Sequence, residues 1–227
     1  RFGLPSMIEM PVDGRNDDTR WVLFAESGVY MICSFDGKEL KPEGPLSQFD
    51  HGKSVRGTVL MKDDGRIVLM SGVNAAGYAD LPSAGVLSFP NEVNLTKLPE
   101  GIVLYRKPIS ELESLHNKKI SITDKKIYPG LKNNPLSKLK GREFRIVATI
   151  NAHTCDELNF LIRSDKKQSG SLVSYDAKRK FFNVMGNSVP YVPVDKKIQI
   201  EILVDRSTIE VYLDNGRFVF TSAFNPM

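Results

Sequence analysis

The last ninety residues constrain this chain most. Phe144, Ile146, Ala148 and Ile150 alternate with Arg145, Val147 and Thr149. Ile198, Ile200, Ile202 and Val204 alternate with Gln199, Glu201 and Leu203, and Ile209, Val211 and Leu213 with Glu210 and Tyr212. A period of two places one set of side chains on one face of a strand. Asp214-Asn215-Gly216 then turns the chain into Phe218-Val219-Phe220. Asn-Gly between alternating runs predicts a two-residue hairpin turn, because both central positions need positive φ. Apolar rows of this kind are buried when two sheets pack face to face. The expectation is a β-sandwich.

The first half is also strand-like, in shorter pieces. Trp21–Ala25, Val29–Cys33, Val59–Met61 and Ile67–Met70 are apolar runs separated by Ser27-Gly28, Asp36-Gly37 and Asp63-Asp64-Gly65. Runs bounded by such turns read as antiparallel hairpins. Roughly eight of them before residue 106 suit successive four-stranded sheets, as in propeller blades, but the repeat is too weak for spacing alone to set a propeller. Between the halves, Ile109, Leu112 and Leu115 predict a turn or two of helix, with Ser110 and Glu113 at capping-box spacing. Tyr128–Pro135 reads as loop.

Composition narrows the function classes. The 227 residues carry 31 Lys and Arg against 27 Asp and Glu, a net charge of +4. The densest basic stretch, Lys178-Arg179-Lys180, runs directly into Phe181-Phe182, so no basic face for nucleic acid is expected. No window reaches the ~18 apolar residues of a membrane span. Cys33 and Cys155 are far apart and make no disulfide framework. His51, His116 and His153 form no ligand pair, so neither a metal nor another cofactor is expected. The chain opens on Arg1 within a strand-like pattern, and it reads as a piece of a longer precursor.

Spacing alone exposes no catalytic constellation: no G-x-S-x-G, Gly-rich phosphate loop or H-E-x-x-H occurs. Longer segments do resemble a known family. Ile202–Tyr212 with Asp214–Arg217 and Thr221-Ser222 resembles the closing hairpin of the C-terminal sandwich in glycoside hydrolase family 32, the invertases, levanases and inulinases. Leu87–Leu95 is similar to its L-S-x-P-R-E-L-x-L segment, and Tyr105–His116 to its linker. Ser34–Lys38 is similar to its S-F-D-G-K turn, and Asp50-His51-Gly52-Lys53 to its D-Y-G-K motif.

The resemblance implies an all-β chain: a partial five-bladed propeller (the last two blades, residues 1–106), a short helical linker (107–117) and a C-terminal β-sandwich (118–227). It implies a fructan or fructoside as the carbohydrate ligand and a periplasmic or secreted location. A retaining mechanism of this type sets two carboxyl groups about 5 Å apart across the scissile bond, one of them protonated. The family's W-M-N-D-P-N-G and R-D-P motifs do not occur in this chain. Its E-C-P segment aligns with Gly3-Leu4-Pro5, which puts Gly3 at the acid/base position. Glu9 lies six residues on, about 20 Å away along a strand, and is a poor substitute.

No catalytic residue is therefore expected here. Asp50 and Lys53 are expected to contact sugar at the pocket rim, and His51 stands where the family has Tyr. Ser71-Gly72-Val73-Asn74 replaces the family's G-W-M-N. Trp21 is expected in a blade core, and Asp205–Arg206 as an exposed ion pair worth about 0–1 kcal/mol. An isolated pair of blades leaves edges and apolar faces open, which predicts self-association or a covering segment. The open alternatives are the C-terminal part of an active β-fructosidase and a non-catalytic fructan-binding or structural β module.

Overall fold

The computed structural model describes residues 5–52, 54–75, 85–129, 134–137, 139–164 and 170–224, and the backbone alone at residue 63. Two antiparallel meanders come first. One holds β1 (Ser6–Val12), β2 (Arg15–Ala25), β3 (Val29–Phe35) and β4 (Leu40–Pro42), with the short β5 (Ser47–Gln48) on β3. The other holds β6 (Val55–Asp63), β7 (Arg66–Asn74), β9 (Asn91–Leu98) and β10 (Gly101–Pro108), with β8 (Gly85–Leu87) on β7. A single parallel bridge, Val12 to Leu95, joins them into one ten-stranded sheet.

Strand alternation builds the layer between the meanders. Met10, Val12, Val22, Phe24, Tyr30 and Ile32 of the first pack with Val55, Ile67, Leu69, Val93, Leu95 and Leu104 of the second, around Phe49. The Asp64-Gly65 turn forms as expected: both residues have positive φ, and Asp63 pairs with Arg66.

The sandwich follows. One sheet runs β11 (Phe144–Asn151), β16 (Lys197–Val204), β17 (Thr208–Leu213), β18 (Phe218–Ala223). The other runs β12 (Glu157–Ile162), β13 (Ser171–Asp176), β14 (Phe181–Val184), β15 (Asn187–Pro190). Their inner faces share one core, with Val173, Tyr175, Phe182 and Val184 opposite Ile200, Ile202, Ile209, Val211 and Phe220. β17 is buried at every position, because its second face also lies under protein. There Leu203, Tyr212 and Val219 meet Leu112, Phe89 and Ile109. The fold class read from the sequence, partial propeller plus C-terminal sandwich, is the one observed.

Four local expectations are corrected. The linker helix is a three-ten helix, Ser110–Leu115, with Ile109 at its N-cap and no side-chain cap bond. Ser110 thus sits inside the helix rather than at its cap, and Glu113 pairs with Arg145 and His116. The Asn-Gly turn is longer than two residues. Leu213 pairs with Phe218, and Asp214, Asn215 and Gly216 all have positive φ. The turn sits against β10, where a Cβ on Gly216 would stand 1.9 Å from the Arg106 carbonyl oxygen, so only glycine fits. Trp21 is half-buried on the outer face of β2, edge-on to the exposed Phe35 at 5.6 Å. It lies there because its neighbours in the alternation, Val22 and Phe24, take the core. Finally, Arg206 pairs with Glu143 rather than with Asp205, whose carboxylate accepts the Arg206 backbone N–H instead. Asp205 is thereby committed to the turn.

Candidate functional site at the propeller–sandwich junction

The Asp50-His51-Gly52 loop links β5 to β6 and presses against β18. A Cβ on Gly52 would stand 1.9 Å from the Thr221 carbonyl oxygen, so the two backbones meet where only glycine allows it. The His51 N–H donates to the Val219 carbonyl at 2.7 Å. Its ring lies against Phe218 and Phe220, with centroids 5.9 and 5.4 Å away. Burial lowers the His51 pKa, which keeps the ring neutral near pH 7.

Asp50 is fully buried. Its Oδ1 accepts from the backbone N–H groups of Gly52 (2.8 Å) and Thr221 (3.0 Å), and its Oδ2 accepts from Arg106 Nη1 at 2.8 Å. Arg106, near the end of β10, has 1% of its surface exposed. Its Nη2 donates to Thr221 Oγ1 at 2.8 Å and to Glu210 Oε2 at 3.4 Å. The Phe49 ring lies 5.8 Å from the guanidinium carbon. Glu210 is fully buried as well. It accepts from the Tyr212 hydroxyl at 2.5 Å and from the Phe89 N–H at 2.6 Å.

One guanidinium therefore faces two buried carboxylates at the seam between blade and sandwich. Burial pushes the Glu210 carboxyl above the usual range despite these donors. Burial, and then the neighbouring Glu210, also raises Tyr212, which stays a phenol that can donate. This network holds the seam and offers no open acid.

Beside it lies an open, mostly polar cleft of about 550 Å3 between the two parts. Ser27, Gln48, His51 and Arg56 line it from the blade side, and Asn187 and Ser188 from the sandwich. His51 Nδ1 and Gln48 Oε1 are 3.1 Å apart. Among the described residues, no group of His, Cys, Asp and Glu could hold a metal ion, and no helix is long and apolar enough to cross a membrane.

The residues singled out from the sequence fare unequally. Gly3 and Lys53 lie outside the described residues. Asp50 is locked into the seam rather than open at a rim: it has no exposed surface, and both of its oxygens are engaged. His51, from the same motif, does line the cleft. Glu9 is exposed on β1 and accepts from Thr19 Oγ1 at 2.7 Å. Arg106, Glu210, Tyr212 and Thr221 were not singled out as site residues, though all four fall inside the quoted segments.

The family model for the C-terminal part of glycosyl hydrolases family 32 matches residues 111–227, just over half of the chain. The chain belongs to glycosyl hydrolase family 32. Among curated family relatives, a levanase of Bacillus subtilis (strain 168) is 26% identical over 98% of this chain and 38% of its own length. A levanase of Bacillus sp. (strain L7) is 25% identical over 98% of this chain and 28% of its own. The chain therefore spans well under half the length of these relatives. Among solved structures, an exo-inulinase from Aspergillus awamori superposes with a TM-score of 0.80 at 18% identity, over 99% of this chain and 52% of that one. Fructan 1-exohydrolase IIa from Cichorium intybus gives 0.71 at 17%, over 99% and 56%. These family 32 structures carry the same fold across both parts of the chain.

Proposed function

We propose that this chain is the closing part of a fructoside-handling protein, and that it binds and positions sugar without supplying a proton donor. Residues 1–106 would be the propeller portion, 107–117 the linker and 118–227 the sandwich. One observation carries the reading: the two carboxylates gathered at the junction, Asp50 and Glu210, have no exposed surface and are tied to Arg106. A general acid must reach the leaving oxygen within hydrogen-bond distance. Neither side chain can do that without breaking the seam. The alignment that sets Gly3 at the acid/base position points the same way, since glycine has no proton to give.

What the chain offers a sugar is the cleft, where hydroxyl, amide and neutral imidazole groups and the Arg56 guanidinium can hydrogen-bond to sugar hydroxyls. Asp50 acts there as a positioning residue, holding the loop that presents Gln48 and His51.

Fructose release from sucrose, levan and inulin by the longest polypeptide containing this chain is the test. Loss of a positioned general acid costs about 10²–10⁴-fold in rate, so release is expected near background. Family-like turnover by the unaltered polypeptide would overturn the reading. A second reading, an active β-fructosidase, draws support from the levanase relatives that match 98% of this chain. The Gly3→Glu variant separates the two. Turnover gained only in the variant identifies the missing acid.

A further inference from the structure

The β12–β15 sheet turns its second face outward, away from the sandwich core. Strand register places three rows of side chains across it. The central row is Asn159, Ser174, Asn183 and Ser188, each directly opposite the next. At about 4.8 Å per strand, this row of neutral hydrogen-bonding groups is roughly 15 Å long. Leu161 and Leu172 sit opposite each other on one side of it, both about two-fifths exposed. On the other side the row is Glu157, Asp176, Phe181 and Pro190, with Phe181 44% exposed.

The amides are held yet not exhausted. Asn183 Nδ2 donates to Ser188 Oγ at 2.8 Å, and Asn183 Oδ1 accepts from the Gly186 N–H at 3.1 Å. Asn159 Nδ2 donates to Glu157 Oε1 at 2.9 Å. Since an amide has two donors and two lone pairs, each Asn keeps a donor and an acceptor for a ligand, already fixed in orientation. The row's last member, Ser188, also lines the junction cleft. The cleft and the row thus form one continuous path from Gln48 and His51 onto the sandwich.

We propose that this path is a track for an uncharged polyhydroxylated chain, so that the ligand is a polymer rather than a disaccharide. The proposal rests on the fructoside reading above. The chemistry selects the occupant. The row itself carries no charge, and of the two carboxylates beside it Asp176 is paired with Arg179 at 3.6 Å, so the row holds nothing that would favour a charged polymer over a neutral one. A protein partner would call for an aromatic-rich apolar centre, whereas here the centre is polar and the apolar groups flank it. Alternating hydroxyls and C–H faces match that order. The ring face of Phe181 carries the negative side of its quadrupole and attracts sugar C–H groups.

Calorimetric titration of the full chain with levan, inulin, sucrose and fructose tests the track. The key variant is Asn159→Ala with Ser174→Ala, two outward positions that leave the core and the β14–β15 turn untouched. A circular-dichroism melt matching the wild type confirms its fold. The expected result is polymer binding that weakens at least tenfold in the variant, while fructose binding is unchanged. Polymer binding equal in wild type and variant overturns the track and leaves the fructoside reading standing. No heat with fructose, sucrose or polymer alike overturns the fructoside reading, and the track with it.

Discussion

The two halves of the molecule solve the same burial problem differently. In the sandwich, each sheet covers the other, and the core from Val173 to Phe220 is closed by the chain's own strands. In the propeller portion, the two meanders cover each other on one side only. On the other side Met7 and Phe35 stay exposed on the first, and Val59 (58%) and Met61 (48%) on the second. The sandwich is complete as a packing unit, whereas the blades leave apolar side chains exposed on one face. The Arg106 seam ties the incomplete unit to the complete one.

Removing the seam's cation gives the largest expected effect. Arg106→Met leaves Asp50 and Glu210 buried without a counter-ion, at a cost of about 3–5 kcal/mol, measured by urea unfolding. If the seam couples the halves, the single transition splits, with the blades unfolding first. Adding Asp50→Asn and Glu210→Gln recovers most of the loss, because no buried charge remains uncompensated.

Phe182→Ala sharpens the contrast within one class of substitution. It empties the closed sandwich core and is expected to cost about 3–5 kcal/mol. Met61→Ser, on the open blade face, is expected to stay within about 0.5 kcal/mol while reducing self-association in sedimentation. Equal losses at the two sites would break the comparison.

Smaller effects come from pH, with opposite signs in the seam and on the surface. Burial raises Glu210 in the folded state, so the folded protein holds that proton more tightly than the unfolded chain does. Its contribution is present in full below the ordinary glutamate value of about 4.3 and is lost as pH rises through the folded value. Glu210→Gln should remove that part of the decline in a series of urea titrations. Glu111, exposed and held by Arg66, is lowered to about 2. Its contribution is present above the ordinary range and is lost as pH falls toward 2. Carboxyl NMR should show the low midpoint, and Arg66→Ala should return it to the ordinary range.

How much of this was legible in the sequence follows the same division. Period-two rows such as Ile198–Val204 were enough to set the sandwich, because burial on one face leaves that signature. The seam left none. Glu210 and Tyr212 fall at the alternate positions that usually face water, and nothing local tells a solvent face from one covered by another part of the chain. Asp50 illustrates the cost of motif transfer. In Asp50-His51-Gly52 the glycine marks a close backbone approach at Thr221, and the aspartate serves that contact. The capping-box pattern at Ser110 failed as well. That short helix starts one residue too early for Ser110 to cap, with Ile109 at its N-cap and Leu112 packed against Leu203, Tyr212 and Val219.

The central claim is that this chain supplies fructoside contacts but no proton donor. Fructose release from levan, measured side by side for the unaltered polypeptide and its Gly3→Glu variant, tests it most directly. Background release by the unaltered polypeptide is the predicted result, and turnover gained only in the variant would identify the missing acid. Family-like turnover by the unaltered polypeptide would contradict it.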